Sequence, residues 1–206
     1  MQLDLKTVYF LITLALLIQA GVMLYLYREH RNYRGIGWWA LGSVGLAIGV
    51  VFNQFLEVAA LRSFAVMGSR ALFIGGSFCY YAGVSRFFGK STNLRLLFVL
   101  WFSFLGLFGF VTIMLRDDRL ATLVFSAAIA LIDTATGLLL IANLPATARG
   151  PILMTAVAFL SMAGLFGVRV VAMLLTKEGQ WAPTSVTTTL AAFAVSNLWT
   201  CGFISL

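Results

Sequence analysis

The stretch LLFVLWFSFLGLFGFVTIML, residues 96–115, runs for twenty positions without a charged side chain. A helix of this length rises about 30 Å, which matches the hydrocarbon thickness of a bilayer. Because lipid offers no hydrogen-bonding partners, a backbone that crosses it must satisfy its own polar groups, and a helix does so. The stretch therefore predicts a membrane-spanning helix.

Six further apolar stretches of similar length fill most of the remaining chain. The predicted spans are 7–27, 36–56, 63–85, 96–115, 120–142, 151–175 and 186–206. Of the 206 residues, 61% are hydrophobic and 10% are charged, which is too little polar surface to coat a soluble protein of this size. The connectors leave no room for a soluble domain. We predict an all-α membrane protein, with residues 1–206 forming a single seven-helix bundle in contact with the lipid bilayer.

The charges of the connectors alternate along the chain and predict its topology. Connectors 28–35, 86–95 and 143–150 hold seven basic residues and one acidic residue, whereas the opposite side holds five of each. Lysine and arginine are retained in the cytoplasm during insertion, so the basic connectors are expected to face inward. The amino terminus is then outside and the carboxyl terminus inside. The formal net charge of +7 is explained by this topology, and nucleic acid is not an expected partner.

Three ionisable residues lie inside predicted spans, where each is costly and indicates a partner, a water-filled cavity or a function. Counting about 1.5 Å of rise per residue places both arginines in the outer leaflet and the acidic residue near the midplane. Polar amides lie near the outer end of span two and midway along span seven. The candidate ligand-binding residues are Arg70, Arg169, Asn53, Gln54, Asp133 and Asn197.

Two interpretations of these residues stay open. In the first, Arg70 and Arg169 form an outward-opening cavity for an anionic ligand, since guanidinium groups donate forked hydrogen bonds to carboxylates and phosphates. In the second, Arg169 reaches down to Asp133 across adjacent antiparallel spans, while Arg70 extends to the outer headgroups. The residue types alone do not decide between them.

Small and aromatic residues indicate how the helices pack. Gly42, Gly45 and Gly49 fall on one face of span two and predict a close approach to a neighbouring helix, with a homodimer contact as the alternative. The aromatic residues at the inner ends of spans two and three are expected to form a belt at the headgroup level. They are Tyr33, Trp38, Trp39, Phe87 and Phe88.

Several chemistries are excluded by composition. The single histidine, His30, cannot supply a multi-histidine metal site, and Cys79 and Cys201 lie inside spans without metal-ligand spacing. Residues 186–206 contain no lysine that could hold retinal as a Schiff base. We predict no catalytic residue, no metal and no cofactor in this chain.

A set of short motifs lies in the first ninety residues. They are Asp4 and Thr7 before span one, residues 28–34 after it, GIGWWALG at 35–42, Gly49, and GVSRFFG at 83–89. This set resembles the amino-terminal membrane sensor region of bacterial diguanylate cyclases, the GGDEF proteins. More loosely, Arg169 matches an arginine that such sensors often carry in span six.

The resemblance implies a sensory module of the bacterial inner membrane, whose last helix passes a signal to a cytoplasmic output domain of the same protein. In that family the output domain joins two GTP molecules into cyclic di-GMP. No Gly-Gly-Asp-Glu-Phe motif occurs in the chain, so no catalytic residue carries over. Because span seven reaches the inner interface only at about Leu206, we expect the output domain to follow in a longer protein.

Other functions are compatible with the same pattern. Related membrane modules precede histidine kinases, so the output domain could belong to that class. A small permease for an anionic solute is an alternative from a different class, as is a structural anchor that dimerises its cargo.

Overall fold

A computed structural model describes residues 5–57, 61–145 and 149–175. These residues form six long helices and no strand. The helices are α1 (Leu5–Glu29), α2 (Ile36–Asn53), α3 (Arg62–Phe87), α4 (Leu94–Gly109), α5 (Asp118–Ala142) and α6 (Arg149–Leu175). A 3-10 turn, Gln54–Glu57, follows α2, and a π-helical turn, Phe110–Leu115, follows α4. The all-α prediction is confirmed, and each of the first six predicted spans matches one helix to within a few residues.

Five helical segments in the described part of the chain are long and apolar enough to cross a membrane. They are Phe10–Glu29, Ile36–Asn53, Leu94–Leu115, Asp118–Ala142 and Arg149–Leu175. Helix α3 has the length, with 26 residues, but it is less apolar because it carries three arginines among several glycines and serines. The chain is a multi-pass membrane protein. Seven crossings and the orientation of the termini stay predictions, since span 186–206 lies outside the described residues.

The chain separates into two compact units, and the prediction of a single domain stays a prediction. Phe10–Asp117 form one unit, which holds α2, α3, α4 and all but the first five residues of α1. The described helices of the other unit are α5 and α6. We call them the α1–α4 unit and the α5–α6 unit.

Helices α2 and α3 of the α1–α4 unit run antiparallel with their backbones close together. A Cβ atom added to Gly42 would lie 2.9 Å from the carbonyl oxygen of Gly76, and one added to Gly76 would lie 3.0 Å from that of Gly42. Gly45 and Gly49 also face α3. Cβ atoms added to them would lie 3.5 and 3.3 Å, respectively, from backbone carbonyl oxygens of α3. The predicted close packing is therefore confirmed. Because α3 covers this glycine face, the face gives no support to a homodimer.

Trp39 is packed between the same two helices, where a belt residue was expected. Only 4% of its surface is exposed, its ring covers Gly83, and its centroid lies 5.5 Å from that of Phe87. Trp39 is therefore buried inside the helix pair, because glycine at position 83 leaves room for the indole, and its level in the membrane stays a prediction. Tyr33, by contrast, is 61% exposed in the turn between α1 and α2.

Helices α5 and α6 of the α5–α6 unit also run antiparallel. The rings of Phe125 and Phe166 meet edge to face with centroids 6.0 Å apart. Nearer the start of α5, the guanidinium group of Arg119 donates a hydrogen bond to the carbonyl oxygen of Met173. These two contacts set the register of the pair.

Candidate functional site

Asp133 lies in the middle of α5, and only 2% of its surface is exposed. It shares one face of α5 with Gly137, which comes one turn later. A Cβ atom added to Gly137 would lie 2.7 Å from the side chain of Leu160 and 3.3 Å from the carbonyl oxygen of Ala156, so this face packs against α6. The carboxyl group is therefore buried within a helix that is apolar enough to span a membrane.

The buried hydroxyl groups of this helix pair do not donate hydrogen bonds to the carboxyl group of Asp133. Ser126, Thr136 and Thr155 are fully buried. Each donates to the carbonyl oxygen four residues earlier in its own helix, at 2.7, 2.8 and 2.9 Å respectively. A hydroxyl has one hydrogen to donate, so none of the three donates to Asp133. The hydroxyls are thus satisfied locally, and the carboxyl group is the most costly polar group of α5 to keep in lipid.

Arg169 is half-buried in the last third of α6. Because Phe166 meets Phe125, the residue of α6 level with Asp133 is close to Phe159. Ten residues separate Phe159 from Arg169, which is about 15 Å along the helix axis. This distance exceeds the combined reach of an arginine and an aspartate side chain. The register therefore does not support the predicted pair of Arg169 and Asp133.

The other candidate residues lie in the α1–α4 unit. Asn53 is half-buried at the end of α2, and Gln54 follows it, donating from Nε2 to the Oγ1 atom of Thr13 at 3.1 Å. Arg70 is half-buried in α3, and the register of α2 and α3 places it roughly one helical turn deeper than Asn53. The structure thus brings these three candidates to the same end of one unit.

The predicted cavity draws on both units and stays a prediction. Arg70, Asn53 and Gln54 belong to the α1–α4 unit, whereas Asp133 and Arg169 belong to the α5–α6 unit. The remaining candidate, Asn197, lies outside the described residues.

Sequence reasoning missed a polar pair inside the α1–α4 unit. The hydroxyl groups of Ser43 and Tyr80 lie 2.7 Å apart and join α2 to α3, and the two residues are 3% and 1% exposed. The glycine pattern could have indicated both residues, since Ser43 follows Gly42 directly and Tyr80 comes one turn after Gly76. Each therefore lies beside the crossing where the two backbones approach most closely.

We expect Ser43→Ala and Tyr80→Phe each to lower the free energy of unfolding by about 1 kcal/mol, because each removes one partner of a buried hydrogen bond. The double variant should lose little more than either single variant, because either substitution alone already removes the hydrogen bond between the two hydroxyl groups. Unfolding by sodium dodecyl sulfate in mixed micelles measures this. Fully additive losses would show that the two hydroxyl groups do not interact.

Among the residues that the structure describes, no group of three or more histidine, cysteine, aspartate or glutamate side chains could hold a metal ion. Cys79 is a half-buried free thiol in α3. The arrangement offers buried and half-buried ionisable side chains and close helix packing, and it offers no cluster typical of metal chemistry within residues 5–57, 61–145 and 149–175.

No protein-family model matches the sequence, and no curated protein or solved structure is significantly similar to it. The fold and the candidate site define a class: an all-helical, multi-pass membrane protein with ionisable side chains inside its helices.

Proposed function

We propose that this chain is the sensory module of a bacterial signalling protein of the inner membrane. In this proposal the amino terminus is outside, and the last span passes an external or membrane signal to a cytoplasmic output domain. A GGDEF diguanylate cyclase is the output domain that the sequence resemblance favours. The chain itself would then contribute the input and no catalytic residue.

One observation carries the proposal: the two longest motifs of the resemblance meet in space. Segment 35–42 begins α2 and segment 83–89 ends α3. Gly35 lies against the backbone of Gly83, and Trp39 covers Gly83 and contacts Phe87. Motifs that are nearly fifty residues apart therefore form one packed joint between two helices. This joint supports the interpretation that the motifs belong together as parts of one module.

The ionisable residues supply a physical basis for sensing. A ligand changes the output only if it binds two arrangements of the helices with different affinity. Arg70, Asp133 and Arg169 are half-buried or buried in the helices, where a bound anion or a change of helix packing alters their energy strongly. An anionic small molecule or lipid is the class of ligand that two arginines favour.

The full chain, joined after Leu206 to a diguanylate cyclase domain, gives a direct test. Cyclic di-GMP is measured in cells that contain the wild type or Arg70→Ala, Asp133→Asn or Arg169→Ala. We expect Asp133→Asn and Arg169→Ala to change the output about fivefold or more, with Arg70→Ala milder, as coupling energies of signalling proteins are of this size.

The matched control is Leu131→Ala, because Leu131 lies in the same helix as Asp133 but is 72% exposed. It should leave the output unchanged. If all variants accumulate normally and match the wild type, the sensory role is wrong. Uptake of labelled carboxylates by proteoliposomes of the chain would instead support a permease.

A further inference from the structure

A groove runs between α1 and α2 at the end of the α1–α4 unit that carries connector 28–35. Its volume is about 490 Å³, and Leu24 and Tyr27 of α1 line it together with Trp38, Leu41 and Val44 of α2. Val44 lies about 12 Å from the first residue of α2, measured along the axis. The groove therefore extends from the connector deep into the apolar part of the helix pair.

The walls of the groove are open to the surroundings. Leu24 is 48% exposed, Leu41 is 55% exposed and Tyr27 is 40% exposed. An unfilled groove would deprive these side chains of dispersion contacts on one side. In a membrane protein an acyl chain of the surrounding lipid can fill such a long apolar groove.

Two arginines lie over the aromatic rings that line the mouth of the groove. The Cζ atom of Arg86 is 4.8 Å from the ring centroid of Trp38, and that of Arg31 is 6.0 Å from the ring centroid of Tyr27. Arginine stacked on a ring still presents donors at its edge. Two guanidinium groups therefore border the end of the groove that lies at the connector.

The surrounding connector strengthens the positive charge. Arg28 is exposed in the last turn of α1, Arg34 is exposed in the same turn as Arg31, and Glu29 is the one acidic residue of connector 28–35. Charge is thus concentrated at one end of the groove, while the remaining 12 Å or so is apolar. This polarity matches an amphiphile with a negative head.

We propose that this groove binds one anionic phospholipid. Its acyl chain lies between Leu24, Leu41 and Val44, and its phosphate group accepts hydrogen bonds from Arg31 and Arg86. Guanidinium donors match phosphate oxygens in geometry and charge. Basic pockets beside membrane helices bind anionic headgroups in this way. None of the candidate residues Arg70, Asp133 and Arg169 lines this groove, and the proposal does not depend on the sensory role.

Native mass spectrometry of the purified full chain tests the proposal, with phosphatidylglycerol and phosphatidylcholine of identical acyl chains as probes. We expect phosphatidylglycerol to bind with the higher affinity. Arg31→Ala and Arg86→Ala should each weaken that affinity about fivefold, as expected for one arginine at a lipid surface. Phosphatidylcholine binding should change little in either variant.

Two further variants distinguish a defined lipid-binding site from general electrostatic attraction between anionic lipids and the basic residues of this end of the unit. Arg95→Ala removes the same charge from the first turn of α4, which does not line the groove, and should leave the affinity nearly unchanged. Val44→Trp fills the apolar part and should weaken binding of both lipids. Equal affinities for the two lipids, equal losses from Arg31→Ala and Arg95→Ala, or full binding by Val44→Trp would each overturn the proposal. Glycerol phosphate that binds as tightly as the lipid would overturn it as well.

Discussion

Replacing Gly35 by alanine is expected to lower the free energy of unfolding by about 4 kcal/mol, from backbone strain and overpacking together. Gly35 has a φ of 96° and a ψ of −23°, a conformation that side chains with a Cβ atom rarely adopt. The added Cβ atom would overlap the carbonyl oxygen of Gly83 and lie 3.2 Å from the amide nitrogen of Phe87. Both neighbours are backbone atoms, so no rotamer change relieves the overlap. The end of α3 would have to move away from α2.

Gly89→Ala is the matched control for this substitution. Gly89 also has a positive φ, of 70°, but an added Cβ atom would meet nothing within 4 Å. Gly89→Ala should therefore lower the free energy of unfolding only through backbone strain, by about 1 kcal/mol. Unfolding in mixed micelles measures both variants. Losses of equal size would contradict the role given to the contact between Gly35 and Gly83.

Asp133→Leu is expected to raise the free energy of unfolding by about 2–3 kcal/mol, judged from the difference between aspartate and leucine at the centre of a membrane helix. The carboxyl group is 2% exposed, and the nearby hydroxyls donate to their own helices. A leucine has the same number and branching of side-chain heavy atoms and would remove a costly polar group. The same variant should lose the signalling output, because residues kept at such a cost in lipid are characteristically functional.

The controls for Asp133→Leu distinguish the ionisable carboxyl group from other buried polar groups of α5. Asp133→Asn keeps the size but removes the ionisable group, and should fall between the wild type and the leucine variant in stability. Thr136→Val removes a buried hydroxyl that bonds only to the carbonyl oxygen of Ile132, and should have a small effect. A loss of stability in Asp133→Leu would show that the carboxyl group holds the fold together, and it would remove the argument for its function.

The helices were predictable because the formation of each one depends on the composition of a single local stretch of sequence. A backbone in lipid must satisfy its own hydrogen bonds, so an apolar stretch of sufficient length is enough to predict a helix. Residues 96–115 illustrate this, since the helical region Leu94–Leu115 differs from the prediction by two residues at one end. Helix α3 was also predicted, although Arg70 and its glycines make it the least apolar of the six.

The environment of individual side chains was less predictable. The place of Trp39 near the end of a span predicts its level in the membrane, whereas only the structure shows that it lies inside the α2–α3 pair, where residue 83 is a glycine. The pair of Arg169 and Asp133 was compatible with adjacent antiparallel helices, yet the register set by Phe125 and Phe166 keeps them about 15 Å apart along the axis. Neither outcome can be read from one helix by itself.

The sequence by itself determined the membrane class, the first six helices and the residues that are costly in lipid, because all three depend on composition over one local stretch. Only the tertiary structure decided which of those residues lie together. It placed Arg70 about one helical turn deeper than Asn53 at the same end of one unit, joined Ser43 to Tyr80 and brought segment 35–42 against segment 83–89. The rotation of a helix about its axis and its register against a neighbour depend on side chains far apart in the chain, and no local pattern encodes them.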